Sequence, residues 1–237
     1  GLIGDGKAVA SLKARASGSV LTIAESPMDG LYCNVADMVI DGNNIATNGL
    51  DITGGYMLNV DRAIIHHFTG VGVKILGVLC SQFRDTRIAL NGTGVVAGYA
   101  VMPSTGGTDA NLIRFFNCEL GGNTSWAVYV TRGSLIVINA CNLDQNGTTG
   151  NNATAEVYFS NGIVAAGISV RDSWFEANKG ISNIWIDTPY ASSQMSVIES
   201  STFVLNTNLT TGIYVQTNNP AKPNVALCRG NTFYDNA

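Results

Sequence analysis

Two carboxylates stand out first. Asp144 and Glu176 each follow directly on a large apolar residue, Leu143 and Phe175, and each lies two residues before an asparagine, Asn146 and Asn178. If the two segments are equivalent stretches of neighbouring strands, the carboxylates lie one rung apart, about 5 Å. At that separation one carboxyl can protonate a glycosidic oxygen while the other attacks as a nucleophile, the retaining arrangement of a glycoside hydrolase. The same pair could share a proton, hold a cation, or be solvated turn residues without chemistry. An inverting mechanism needs a wider gap. Asp187, directly after Ile184-Trp185-Ile186, and Glu156, directly before Val157-Tyr158-Phe159, offer the more distant partner.

A second group is aromatic. Tyr129, Tyr158, Trp185 and Tyr214 each stand between two apolar residues in a short segment. In a strand the flanking residues point one way and the central one the other, so four stacked segments line one outer face with rings. Such a face suits sugar stacking or a subunit interface, and equally the ordinary packing of a sheet. His66 and His67 are the only histidines. Strand alternation sends one inward and one outward. No Cys or Glu stands at ligand spacing beside them, so no metal is expected, and no cofactor. Arg171, Glu199 and Arg229 form a file of alternating charge, read as a surface ladder of small energetic worth. Cys118, Cys141, Ser173 and Ser201 form another, read as small buried residues in a tight turn, with a Cys118–Cys141 disulfide as the alternative.

All of these readings depend on a repeat. A large apolar anchor followed three places later by Asn recurs as Leu120/Asn123, Leu143/Asn146, Phe175/Asn178, Phe203/Asn206 and Phe233/Asn236, with anchor steps of 23, 32, 28 and 30 residues. Before each anchor lies an alternating apolar segment: Ile113–Phe115, Ile136–Ile138, Ile168–Val170, Val197–Ile198 and Val225–Leu227. After each of the first four Asn comes the apolar-aromatic-apolar segment. A unit this short cannot bury its own apolar face, and stacked neighbours close a common core. The Asn tolerates the left-handed backbone of a sharp turn, and its amide can hydrogen-bond to the next rung, giving an asparagine ladder. Variable spacing then means variable loops, notably 147–155 and 103–109.

This repeat resembles the pectate-lyase-like superfamily of right-handed parallel β-helices, which includes bacteriophage tailspikes. The resemblance runs from about residue 36 to 237 and is strongest after 112. Its earlier coils are Met38–Asn43, Val60–Ile75 and Val78–Phe83, and Ile40-Asp41-Gly42-Asn43 resembles an early turn of that superfamily. It implies an all-β, single-stranded solenoid over residues 21–237, preceded by an N-terminal segment, 1–20. Within that segment, residues 7–16 are predicted to form a helix capping the open end. The resemblance brings no catalytic set with it. The clustered Arg and Lys beside calcium-binding Asp of pectate lyases are missing, and so are the paired Asp and His-Gly motifs of polygalacturonases.

Composition narrows the function. The 237 residues carry a net charge of −4, with only 13% charged and 46% hydrophobic residues. No basic run offers a nucleic-acid surface, and no apolar stretch is long enough to cross a membrane. Five Cys without CxxC pairs are read as mostly free and buried, which suits assembly in a reducing cytosol. The first residues lack signal-peptide character, and the end at Ala237, without a cap, suggests a fragment of a longer chain.

Three functions fit. The first is a tailspike-type protein of the virion tail, a homotrimer that binds and hydrolyses a bacterial surface polysaccharide, with Asp144, Glu176 and Asp187 as catalytic candidates. The second is a non-catalytic adhesive β-helix. The third is a secreted polysaccharide lyase or epimerase using Arg171 or His66.

Overall fold

The computed structural model describes residues 2–3, 10–24, 32–98, 100–102, 106–147, 155–160, 167–188, 196–205, 211–217 and 226–235. Within them the chain is an all-β solenoid, the right-handed parallel β-helix that the repeat implies. Each turn supplies three short strands. The first face is built from Gln82–Arg84, Arg114–Phe116, Ile136–Asn139, Ile168–Arg171, Ser196–Glu199 and Ala226–Arg229. The second holds the anchors, in Arg87–Ala89, Glu119–Gly121, Asn142–Asp144, Trp174–Glu176, Thr202–Leu205 and Thr232–Asp235. In the two earliest full coils a single strand, Asn34–Asp41 or Asn59–His66, spans both faces. The third face runs from Ser19–Ala24 to Thr211–Thr217 through eight strands.

The pairing is parallel throughout these faces, and the anchors stack in one file. Leu12 pairs with Ile40, Ile40 with Ile65, Ile65 with Ile88, and Ile88 with Leu120. Leu143 pairs with Phe175, Phe175 with Phe203, and Phe203 with Phe233. The anchors from Ile40 to Phe203 are fully buried. Where they are aromatic the rings stack: Phe175 and Phe203 lie 4.7 Å apart at 20°, and Phe203 and Phe233 lie 5.1 Å apart at 15°. Such pairs add about 0.5–1.5 kcal/mol each beyond the area they bury.

The corners explain how so short a coil closes. A left-handed residue sits three positions before every anchor from Ile40 to Phe233: Asp37, Arg62, Asp85, Asn117, Ala140, Asp172, Ser200 and Gly230. A second sits two positions after the anchor, at His67, Leu90, Gly122, Gln145 and Ala177. One left-handed residue turns the strand and restarts it on a new face. Asn91, Asn123, Asn146 and Asn178 therefore do not adopt the left-handed conformation expected of the ladder; the residue before each of these four does.

Their role is to satisfy the buried corner. Asn91, Asn123, Asn146 and Asn178 are all buried. The Asn91 amide donates to Asn123 Oδ1 at 3.2 Å, and Asn123 donates to Asn146 Oδ1 at 2.8 Å. The Asn146 N–H donates to Asn178 Oδ1 at 3.1 Å. Asn206 and Asn236 lie outside the described residues. In the earlier coil Phe68 takes the ladder position, and its N–H donates to Asn91 Oδ1.

The small residues two before each anchor form a second buried ladder. Cys141 N–H donates to Ser173 Oγ and Ser173 N–H to Ser201 Oγ, both at 3.2 Å. Cys118 and Cys141 are buried free thiols, so the disulfide alternative does not form. Cys33 and Cys80 are half-buried, and Cys228 is exposed, against the expectation of burial.

Three further expectations are corrected. Ala10–Lys13 is a strand paired with Met38–Asp41, not part of a capping helix, because its apolar Leu12 is needed at the head of the anchor file. Gly106–Thr108 is no simple loop but half of an antiparallel hairpin with Ala100–Met102. The Arg171–Glu199–Arg229 file is no surface ladder at its centre: Glu199 is buried between Arg171 at 2.9 Å and Arg229 at 2.5 Å. The variable segment 147–155 falls largely outside the described residues.

Candidate functional site

On the second face, Arg87, Glu119 and Trp174 just before their anchors, and Asp144 and Glu176 just after theirs, reach the outer surface, whereas Ala89, Gly121 and Val204 stay covered. The register sets Asp144 directly beside Glu176 on the next rung, as the sequence predicts. Asp144 has room because the preceding rung carries Gly121, where a Cβ would collide with Asp144 Oδ1. The carboxylate thus folds down onto the sheet and becomes half-buried. Burial pushes its proton affinity above the ordinary carboxylate range; Glu119 and Glu176 push the same way, and Arg87 opposes them. A carboxyl whose proton affinity is raised beside a second carboxylate is the pairing that divides acid from nucleophile or base.

Sequence reasoning missed three members of this cluster. Glu119 and Arg87 occupy adjacent rungs and form an ion pair at 2.9 Å. Trp174, 42% exposed, donates its Nε1–H to Glu176 Oε2 at 2.9 Å, which fixes that carboxylate and presents an indole face to solvent. All three stand immediately before an anchor, on the same outer face as the two carboxylates. Asp187 lies instead in the third face, paired with Ser160 and Gln216, outside the file of Asp144 and Glu176.

The aromatic file is in register. Tyr129 pairs with Tyr158, Tyr158 with Trp185, and Trp185 with Tyr214, all on the third face. The flanking residues Val128, Val130, Ile184 and Ile186 are buried, so the Tyr129 and Trp185 rings turn outward, and Tyr214 is exposed. Trp185 and Tyr214 lie 4.4 Å apart, and Tyr129 stacks on Trp126 at 4.5 Å. Trp126 extends the platform and belongs to no repeat, so the sequence pattern passed over it.

A polar cleft of about 200 Å³ opens on the first face, lined by Asn34, Asn59, Val60, Asp61, Gln82 and Arg84. Asn34, Asn59 and Gln82 pair in one file that continues to Arg114. Beside it Arg62 bridges to Asp37 at 2.6 and 2.8 Å and to Asp61.

The histidines depart from expectation. Neither enters the core. The left-handed backbone at His67 breaks strand alternation and sets both rings on the outside, centroids 4.3 Å apart. The register then brings Asp41 beside His66. Burial works against the Asp41 carboxylate, but the Asn43 N–H and the neighbouring histidines and Lys13 hold it below its ordinary range. Burial and then repulsion from His67 hold His66 below the usual imidazole range.

No protein-family model and no curated protein matches this sequence. Solved structures do. An alginate lyase from Paenibacillus sp. str. FPU-7 superposes with a TM-score of 0.75 at 14% identity, over 97% of this chain and 77% of that one. The likeness is one of fold. ORF18 of Geobacillus virus E2 superposes with a TM-score of 0.52 at 16% identity. The match takes in 99% of this chain and 49% of the viral one, so the chain spans about half the length of that protein.

Proposed function

We propose that this β-helix binds and hydrolyses a bacterial surface polysaccharide, as part of a trimeric, tailspike-type protein of a bacteriophage tail. The observation that carries the reading is Asp144, half-buried and pushed toward its protonated form, one rung from Glu176. In the proposed reaction Asp144 gives its proton to the glycosidic oxygen as the bond to the anomeric carbon breaks. Glu176, oriented by Trp174, attacks that carbon, and water later releases the sugar with Asp144 taking back a proton. Trp174 offers a stacking face, and the outer ring file from Tyr129 to Tyr214 is a second sugar platform or the contact between subunits. A fold shared with an alginate lyase and with a phage protein is compatible with this assignment.

A lyase is the second reading, favoured by the polar cleft. Arg84 and Arg114 beside stacked amides could neutralise the carboxylate of an acidic sugar while a neighbouring group removes its proton. The two readings separate in one experiment. The protein is incubated with a panel of capsular and lipopolysaccharide glycans, and both reducing ends and the ultraviolet absorbance of unsaturated uronic acids are followed. New reducing ends without that absorbance support hydrolysis, and the two together support elimination. Saturable binding with neither leaves the adhesive β-helix. Light scattering that finds a monomer would count against the trimer.

A further inference from the structure

We propose that Asp41, His66 and His67 form a site for one borderline divalent metal ion of the zinc type. Each residue offers one ligand atom, and the three atoms lie within 4.8 Å of one another. Ligand atoms about 2.1 Å from a shared tetrahedral ion stand about 3.4 Å apart, so modest rotation of the half-exposed rings closes the set. His67 Nδ1 is already 3.5 Å from Asp41 Oδ1.

The chemistry and the backbone agree. Two neutral imidazoles and a carboxylate make a three-ligand set that suits zinc, nickel or cobalt rather than magnesium or calcium, and leaves at least one position for water. The backbone N–H of Asn43 donates to Asp41 Oδ1 at 2.8 Å, which orients the carboxylate in the way second-shell partners of metal sites do. Lys13 Nζ lies 3.5 Å from Asp41 Oδ2, a positive charge at the place where a cation would gain most. Its side chain is largely exposed and free to swing away. The site lies on the same outer file as the carboxylates but three rungs from Asp144, about 14 Å. The metal site therefore stands or falls independently of the hydrolase reading.

Calorimetric titration of the full chain with zinc chloride tests the proposal, read beside the imidazole proton signals in NMR. With only two histidines present, every imidazole signal belongs to this site. One ion per chain should bind, both histidine signals should move, and cobalt in place of zinc should give a visible absorption band. His66→Gln, His67→Asn and Asp41→Asn should each weaken binding by about tenfold or more; Asn at position 67 keeps the left-handed backbone. Lys13→Met should tighten binding by removing the competing charge. Absence of saturable binding would overturn the proposal. So would binding that leaves both histidine signals in place, which would assign the ion to cysteine thiolates.

Discussion

Removing one rung of the asparagine ladder should weaken the whole coil. Asn146 is fully buried, and its amide donates to the Leu120 carbonyl at 2.8 Å. Its Oδ1 accepts from the Asn123 side chain at 2.8 Å and from the Asn123 backbone N–H at 3.2 Å. Asn146→Ala strands the Leu120 carbonyl, the Asn123 N–H and one amide hydrogen in a place without water. Each stranded group costs about 1–3 kcal/mol, and the Asn123 amide keeps a second acceptor in the Ile88 carbonyl. The expected loss is therefore about 3–5 kcal/mol, which lowers the melting temperature of a chain this size by about 10 °C. Denaturant titration measures it, with Asn43→Gly as the control. Asn43 holds the equivalent place in an early coil but is half-exposed, and its amide makes one long bond of 3.4 Å to the Ala14 carbonyl. Glycine keeps its left-handed backbone, so that loss should stay under about 1 kcal/mol. The ladder argument fails if Asn146→Ala costs no more than the control.

Three predictions concern the carboxylate cluster. Because burial, Glu119 and Glu176 raise the Asp144 proton affinity on folding, that group supports the fold fully at acidic pH and less as pH rises through its folded value. Asp144→Asn should thus match the parent in acid and gain melting temperature over it near neutrality, while hydrolysis is lost; an Asn variant less stable at neutral pH would contradict the assignment. Glu119→Gln removes a like charge, so the alkaline limb of the hydrolysis profile should move to lower pH, and a shift upward would exclude Asp144 as the acid. Trp174→Ala should weaken polysaccharide binding about tenfold, or about 1.4 kcal/mol, in a fluorescence or calorimetric titration. Its exposed position predicts an unchanged melting temperature, and unaltered affinity would remove Trp174 from the site.

The anchors and the ladder were legible because stacking demands the same kind of side chain at the same corner of every coil. That demand repeats Leu, Leu, Phe, Phe and Phe down one file, with Asn three places on. Asn91 obeys the same rule after Ile88, but Ile88-Ala89-Leu90-Asn91 follows a coil in which Phe68 replaces the Asn, and the interruption hid the match. The positions just before the anchors from Ile88 to Phe203 are at least partly open to solvent, where packing imposes no residue type. Glu119, Arg87 and Trp174 therefore carried no periodic signal, and only Asp144 and Glu176 were found, because both happen to be acidic. Asp41 was not linked to the histidines because it lies 25 residues before His66 and only the register joins them. The helix expected near the start rested on propensity alone, which a sheet edge overrides by offering Ala10–Lys13 a ladder of backbone partners.

Among the described residues, hydrogen bonding between turns links each turn to the one before and the one after, which makes the length of the tube a free variable. The 23 residues from Gly121 to Leu143 run from one point of the cross-section to the same point one turn on. Excising them would seat Asp144 where Gly121 now stands, with Phe175 packed directly over Leu120. A gene for such a protein can gain or lose whole turns without disturbing the cross-section of those that remain. One cross-section therefore admits very different sequences, and the overlay with the alginate lyase at 14% identity is a likeness of that kind, one of fold alone.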